Sequence, residues 1–135
     1  LAEKLDVIGM NEYFGWYKPD FNQLEEFFEN SNPEKPVIIT EFGAGARPGH
    51  HGSRNDMFTE EYQQRTYEHQ VRVIEKFDFI AGISPWILFD FRTPVRCNQH
   101  QNGYNLKGLL SADKKHRKLA YFTLAEFFSR WGKDN

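Results

Sequence analysis

The stretch PVIITEFGAG, residues 36–45, runs from a proline through four apolar or β-branched residues into a bare carboxylate, then an aromatic ring and a run of glycines. VIITE (37–41) is short and nearly continuous in apolar character, the pattern of a strand buried in a parallel sheet. A charge is costly inside such a strand and cheap in a loop, so Glu41 is expected at the boundary between them. The glycine-rich segment FGAGARPGHHGSRNDMF (42–58) then forms a loop of about 17 residues, a length typical of functional or disordered segments.

Outward from this strand the chain alternates. LDVIGMN (5–11) reads as an earlier buried strand, followed by an aromatic loop, EYFGWYKPD. Leu24, Phe27 and Phe28 at helical spacing predict a short helix over 21–30, ended by NSNPEKP (30–36). Thr59 is placed as an N-cap, with Glu60 and Glu61 in the first turn of a helix running to about Phe77, with Tyr67, Val71, Ile74 and Phe77 on one side. IAGISPWILFDF (80–91) reads as a third strand, and 92–107 as a second long loop carrying Arg92, Arg96, Cys97, His100, Asn105 and Lys107. A last helix is expected over 115–131, with Ala120, Leu124, Phe127 and Trp131 on one stripe. This order predicts an α/β fold, a parallel sheet covered by helices.

Polar and aromatic residues gather where each strand ends: Asn11 and Tyr13, then Glu41, then Trp86 and Asp90. In a barrel of β/α units the chemistry sits on that face. Three units cannot close a barrel of eight. The abrupt entry into an apolar strand favours the last three β/α units of a (β/α)8 TIM barrel over a small open sheet, with residues 1–135 expected to be the C-terminal portion of a longer, multidomain chain.

Composition narrows the function. The chain has 135 residues, 27% of them charged, and a net charge of −2, which gives no electrostatic footprint for nucleic acid. No apolar run approaches the roughly 20 residues of a membrane helix. Cys97 is alone, so no internal disulfide is possible and the compartment is left open, with the cytoplasm favoured. His50 and His51 are adjacent with no acid or cysteine at ligand spacing, and GAGARPG lacks the ending of a phosphate loop, so neither metal nor cofactor is expected.

Aromatic residues reach 16%, which directs attention to ring-faced ligands. NEYFGWY (11–17) offers an amide, phenols and an indole, the means by which sugars are bound, although the same rings would serve a core. Glu41 is the candidate nucleophile or base, against a structural ion pair. Trp86 is a sugar platform or a core residue. Glu12 is expected to face away from Asn11 and be structural. Asp90 and Arg92 are expected to pair, and Cys97 to be inert.

Taken together, NEYFGWY, KPVIITEFGAGA, FTEEYQ, SPWILFDFRTP and NLKGLL resemble, in the same order, the catalytic barrel of family 2 glycoside hydrolases, the family of β-glucuronidases, β-galactosidases and β-mannosidases. The resemblance covers nearly the whole chain. It implies a jelly-roll domain and an immunoglobulin-like domain ahead of the barrel, and retaining hydrolysis through two carboxyl groups about 5–5.5 Å apart. By resemblance Glu41 is the nucleophile, fixed by its strand while the glycines behind it clear space for sugar, Asn11, Tyr13 and Tyr17 line the sugar pocket, and Trp86 matches the Trp at the end of the last strand. The second carboxyl belongs to an earlier strand, so this chain is expected to need the missing strands and the N-terminal β-domains, to be inactive alone, and to be part of a homo-oligomer. NLK, Asn105 to Lys107, resembles the segment with which β-glucuronidases hold a uronate carboxylate. The arginine some of them place four residues earlier is Gln101 here, with Arg96 in the longer loop as its substitute. The reading therefore favours β-D-glucuronide over β-galactoside, beside a non-catalytic carbohydrate-binding or structural half-barrel.

Overall fold

The computed structural model describes residues 4–131. Strands β1 (Ile8–Asn11), β2 (Val37–Glu41) and β3 (Ile80–Ile83) form one parallel sheet in the order β1-β2-β3. Helix α1 (Gln23–Glu29) follows β1, and α2 (Glu60–Ile74) follows β2. After β3 comes a short antiparallel ribbon, β4 (Phe91–Arg92) with β5 (Tyr104–Asn105), and then α3 (Leu119–Arg130). Parallel strands that are neighbours both in the chain and in the sheet are how a β/α barrel winds. No helix among the described residues is long and apolar enough to cross a membrane.

In β2, Val37 and Ile39 are buried while Ile38 and Thr40 are exposed, so the strand's two faces differ. Ile39 and Ile80 pack with Leu24 and Phe28 of α1, Tyr67, Val71 and Ile74 of α2, and Leu124 and Phe127 of α3. These helical positions recur at three- and four-residue steps, which puts them on one stripe.

The elements are shorter than the apolar pattern predicts, for local reasons. Strand β3 ends at Ile83 rather than running to 91, because Pro85 has no N–H to continue the ladder. Helix α2 is capped as expected, the Thr59 hydroxyl accepting the Tyr62 N–H at 3.0 Å. It closes at Ile74 in tighter turns, Lys76 and Phe77 bonding three residues back. Helix α3 starts at Leu119 rather than Lys115, because the side chains of Ser111 and Asp113 take the N–H groups of His116 and Lys115 into a turn. The Glu60 carboxylate then accepts the Leu119 N–H at 3.0 Å, so one helix supplies the cap of the other.

Candidate active site

Glu41 is the last residue of β2. Strict alternation would send it to the same side as Val37 and Ile39. The pairing with β1 shifts there: Met10 faces Ile39, but Asn11 faces Glu41, leaving Thr40 as an extra residue. Such a bulge re-aims the side chain that follows it. Glu41 is thereby half-buried at the sheet's C-terminal rim, where its Oε2 accepts the Tyr13 hydroxyl at 2.9 Å. The main chain is clasped at the same point, the Glu12 N–H donating to the Glu41 carbonyl at 2.9 Å. Asn11 is beside it, its Oδ1 accepting the Thr40 hydroxyl at 2.7 Å. Burial first, and then the bond to Glu41, push the Tyr13 phenol well above its ordinary range, which keeps it a donor.

A cation closes one side. Lys107 is 2% exposed, and its ammonium donates to the Tyr17 hydroxyl at 2.7 Å. It also stands 5.2 Å from the Tyr13 ring centre, 5.4 Å from Trp16 and 4.7 Å from Tyr17. Arg96 reaches the same Tyr17 hydroxyl at 3.5 Å. Burial holds the Lys107 pKa below its usual value, partly offset by Tyr17. Burial opposes ionisation of the Tyr17 phenol, but the bonds from Lys107 and Arg96 prevail and bring it below its ordinary value. Asn105 turns its side-chain oxygen onto the Lys107 N–H at 3.1 Å, which shapes the turn carrying the lysine. The tyrosines, Lys107, Asn105 and Glu41 thus form one contiguous wall.

Trp86 joins this wall through its backbone. It lies beyond the end of β3, its N–H donating to the Phe42 carbonyl at 3.0 Å, and the peptide after it is cis. Its half-exposed ring meets the edge of Phe91, with centres 6.3 Å apart.

Three sequence expectations are corrected. The glycines after Glu41 do not clear space. Residues 42–46 are all buried, and Gly43 is required because its φ is +119° and a Cβ there would lie 2.1 Å from the Tyr67 hydroxyl. Asp90 does not pair with Arg92, which is exposed on the ribbon, but with Lys118 at 2.8 Å. The third correction is the strand end before Trp86 described above. Glu12 is where alternation puts it, buried away from Asn11, with Oε2 accepting the Phe14 N–H at 3.0 Å.

Trp16, Gln63 and Lys118 are supporting residues that a linear reading passes over. Trp16 sits under Lys107 and packs with Ala44 and Tyr62. Gln63 donates to the carbonyls of Ala44 and Gly108, joining the two loops from behind. The Lys118 ammonium holds Ala46, Asp90 and Leu106. The signal for Lys118 is Asp90 within the apolar run ILFDF, since a buried acid calls for a buried cation. Among the described residues, no group of three or more His, Cys, Asp or Glu could hold a metal ion.

The family model of glycosyl hydrolases family 2, TIM barrel domain, matches residues 1–130. The chain is 35% identical to a β-glucuronidase of Streptococcus agalactiae over 97% of its own length and 22% of that enzyme's. It superposes on a β-D-glucuronidase from Dictyoglomus thermophilum with a TM-score of 0.80 at 34% identity, covering 95% of this chain and 23% of that one. A family 2 β-galacturonidase from Eisenbergiella tayi, solved bound to galacturonate, superposes with a TM-score of 0.80 at 25% identity, covering 94% and 24%. The chain therefore spans about a fifth of the length of the curated relatives it matches, 22% for the first of them.

Proposed function

This chain belongs to glycosyl hydrolase family 2, within its TIM-barrel domain, and on that premise we propose that it carries the nucleophile and the uronate-binding wall of a retaining β-glucuronidase. Glu41 attacks the anomeric carbon and displaces the glycosidic oxygen, forming a glycosyl-enzyme. A second carboxyl protonates the leaving oxygen and then activates the water that releases the sugar. Glu12 is turned into the core and bonded there, so that second group comes from a part of the enzyme outside these residues. The chain alone turns nothing over. In this reading it is the C-terminal portion of the barrel, and its partners are the remaining strands and the domains that precede them.

The observation that carries the choice of sugar is Lys107. An ammonium 2% exposed, with no carboxylate within 4.0 Å among the described residues, is a charge awaiting a counter-ion. A uronate carboxylate supplies it, with the pyranose beside Tyr13 and its anomeric carbon toward Glu41. A galactoside offers Lys107 no anion, and a non-catalytic half-barrel has no use for the bond from Tyr13 to Glu41. The relatives named β-glucuronidase support the same reading.

The test compares p-nitrophenyl β-D-glucuronide with the β-D-galactoside in the full-length enzyme. The glucuronide is expected to lead in kcat/KM by about a hundredfold, and Lys107→Ala to remove most of that lead without touching the galactoside. Equal rates on both substrates reject the uronate assignment. Glu41→Gln is expected to abolish turnover while leaving glucuronide binding; retained turnover rejects the nucleophile.

A further inference from the structure

Glu12 follows Asn11 directly, lies under the site, and is 2% exposed with no cation at ion-pair distance among the described residues. Its bonds fix the segment from which Tyr13 projects. Its N–H donates to the Glu41 carbonyl at 2.9 Å. Its Oε2 accepts the Phe14 N–H at 3.0 Å and the Gln70 side-chain N–H at 3.4 Å. The same Gln70 nitrogen donates to the Phe14 carbonyl at 2.9 Å. Tyr13, held between these anchors, bonds the Glu41 carboxylate.

Two atoms are left over. Glu12 Oε1 and Gln70 Oε1 are both buried and have no hydrogen-bond partner among the described residues. Both are acceptors, so neither can satisfy the other while Glu12 is ionised. A proton on Glu12 Oε1 changes this. A protonated Oε1 is a donor that an amide oxygen can satisfy, while the amide nitrogen already donates to Oε2 at 3.4 Å. Both legs together would make the two-point pairing of a carboxylic acid with a primary amide. We propose that Glu12 is a neutral carboxylic acid in the folded enzyme, paired with Gln70, and that in this form it is the positioning residue for Tyr13 and through it for Glu41.

The surroundings agree. The titratable groups around Glu12 are the phenols of Tyr13 and Tyr67, with Lys18 acting only at longer range. Burial pushes the Glu12 carboxyl up to about 8, against the bonds from Phe14 and Gln70 and the charge of Lys18. The positioning role rests on Glu41 being the nucleophile; the charge state of Glu12 does not, so the two can fail separately.

The experiment uses the full-length enzyme with Glu12→Gln and Glu12→Ala. Glutamine reproduces the neutral pairing, giving an N–H to the Gln70 oxygen and an oxygen to Phe14. Glu12→Gln is expected to keep kcat/KM within about twofold at neutral pH, and Glu12→Ala to lose about tenfold or more. A 2,4-dinitrophenyl glucuronide, whose leaving group needs no proton, removes the acid catalyst from the pH profile. On it, wild type is expected to decline above pH about 8 and Glu12→Gln to stay level.

Thermal unfolding gives a readout independent of substrate. A carboxyl raised from 4.5 to about 8 contributes stability that is present below the lower value and lost as pH rises through the upper one. The Tm of Glu12→Gln is therefore expected to gain on wild type across that window and level off above it. A constant Tm difference, or a Glu12→Gln enzyme as impaired as Glu12→Ala, overturns the neutral acid. A widening Tm difference with an unchanged alkaline profile leaves the neutral acid standing and overturns its positioning role. Absence of glucuronide hydrolysis in wild type would bear on the function proposed above and not on the unfolding result.

Discussion

Lys118 and Asp90 pair at 2.8 Å with side chains 0% and 1% exposed, and the same ammonium holds the carbonyls of Ala46 and Leu106. Asp90 Oδ1 also accepts the Gly108 N–H at 2.8 Å, so the pair grips the backbone on both sides of Lys107. No side chain fits at Gly108, where a Cβ would lie 2.1 Å from the Asp90 nitrogen. Burial raises the Asp90 pKa, against the charge and bond of Lys118 and the bond from Gly108. Removing one partner strands the other charge. Lys118→Met is expected to destabilise the enzyme by about 3–5 kcal/mol in urea unfolding. Adding Asp90→Leu is expected to restore most of that stability while the preference for glucuronide falls, because Lys107 loses its anchors. A double variant no more stable than Lys118→Met would show that the charges are not what the site has to satisfy.

Tyr13→Phe keeps the ring under Lys107 and deletes only the donor to Glu41. Hydrogen bonds to charged groups contribute about 1.5–3 kcal/mol, so kcat/KM is expected to fall by about ten- to a hundredfold on glucuronide and galactoside alike. A loss confined to the glucuronide would mean that Tyr13 serves the uronate rather than the nucleophile.

Arg96 is the outer cation of the wall, sharing the Tyr17 hydroxyl with Lys107. Arg96 is half-buried whereas Lys107 is 2% exposed, so solvent screens Arg96 more than Lys107. Arg96→Gln is expected to raise the KM for glucuronide by about three- to tenfold, with a dependence on ionic strength that Lys107→Ala lacks. Salt titrations of KM in both variants check this, and identical salt responses would place the two cations in the same environment.

His69 donates from Nε2 to the Phe21 carbonyl at 2.8 Å, and its Nδ1 accepts from Arg72 at 3.0 Å. Partial burial holds its pKa below 6.5, with Arg72 adding to the effect against the Phe21 bond. The unfolded chain then binds the proton more readily than the folded one. The stability this ring contributes is full above pH 6.5 and lost as pH falls through the lower folded value. His69→Gln is expected to flatten that part of the stability curve as pH falls below 6.5. An unchanged slope would show that other groups set it.

Periodicity carries only local information, and it served where local rules decide. The apolar run 37–41 and the stripe through Tyr67, Val71 and Ile74 predict β2 and α2, because a pleat and a helical turn repeat over two to four residues. The element ends were less legible. Pro85, the Ser111–Asp113 turn and the bulge at Thr40 act through hydrogen bonds that hydrophobicity does not register.

By itself the sequence determined a run of parallel β/α units, a carboxylate at the rim of the middle strand, and the family to which that pattern belongs. Only the tertiary structure decided which side chains meet: Tyr13 with Glu41, 28 positions apart, Lys107 with Tyr17, 90 apart, and Lys118 rather than Arg92 with Asp90. The reason is physical. Secondary structure follows from neighbours along the chain, whereas the state of a carboxyl, phenol or ammonium depends on burial and on charges a few ångströms away, wherever in the chain they arise.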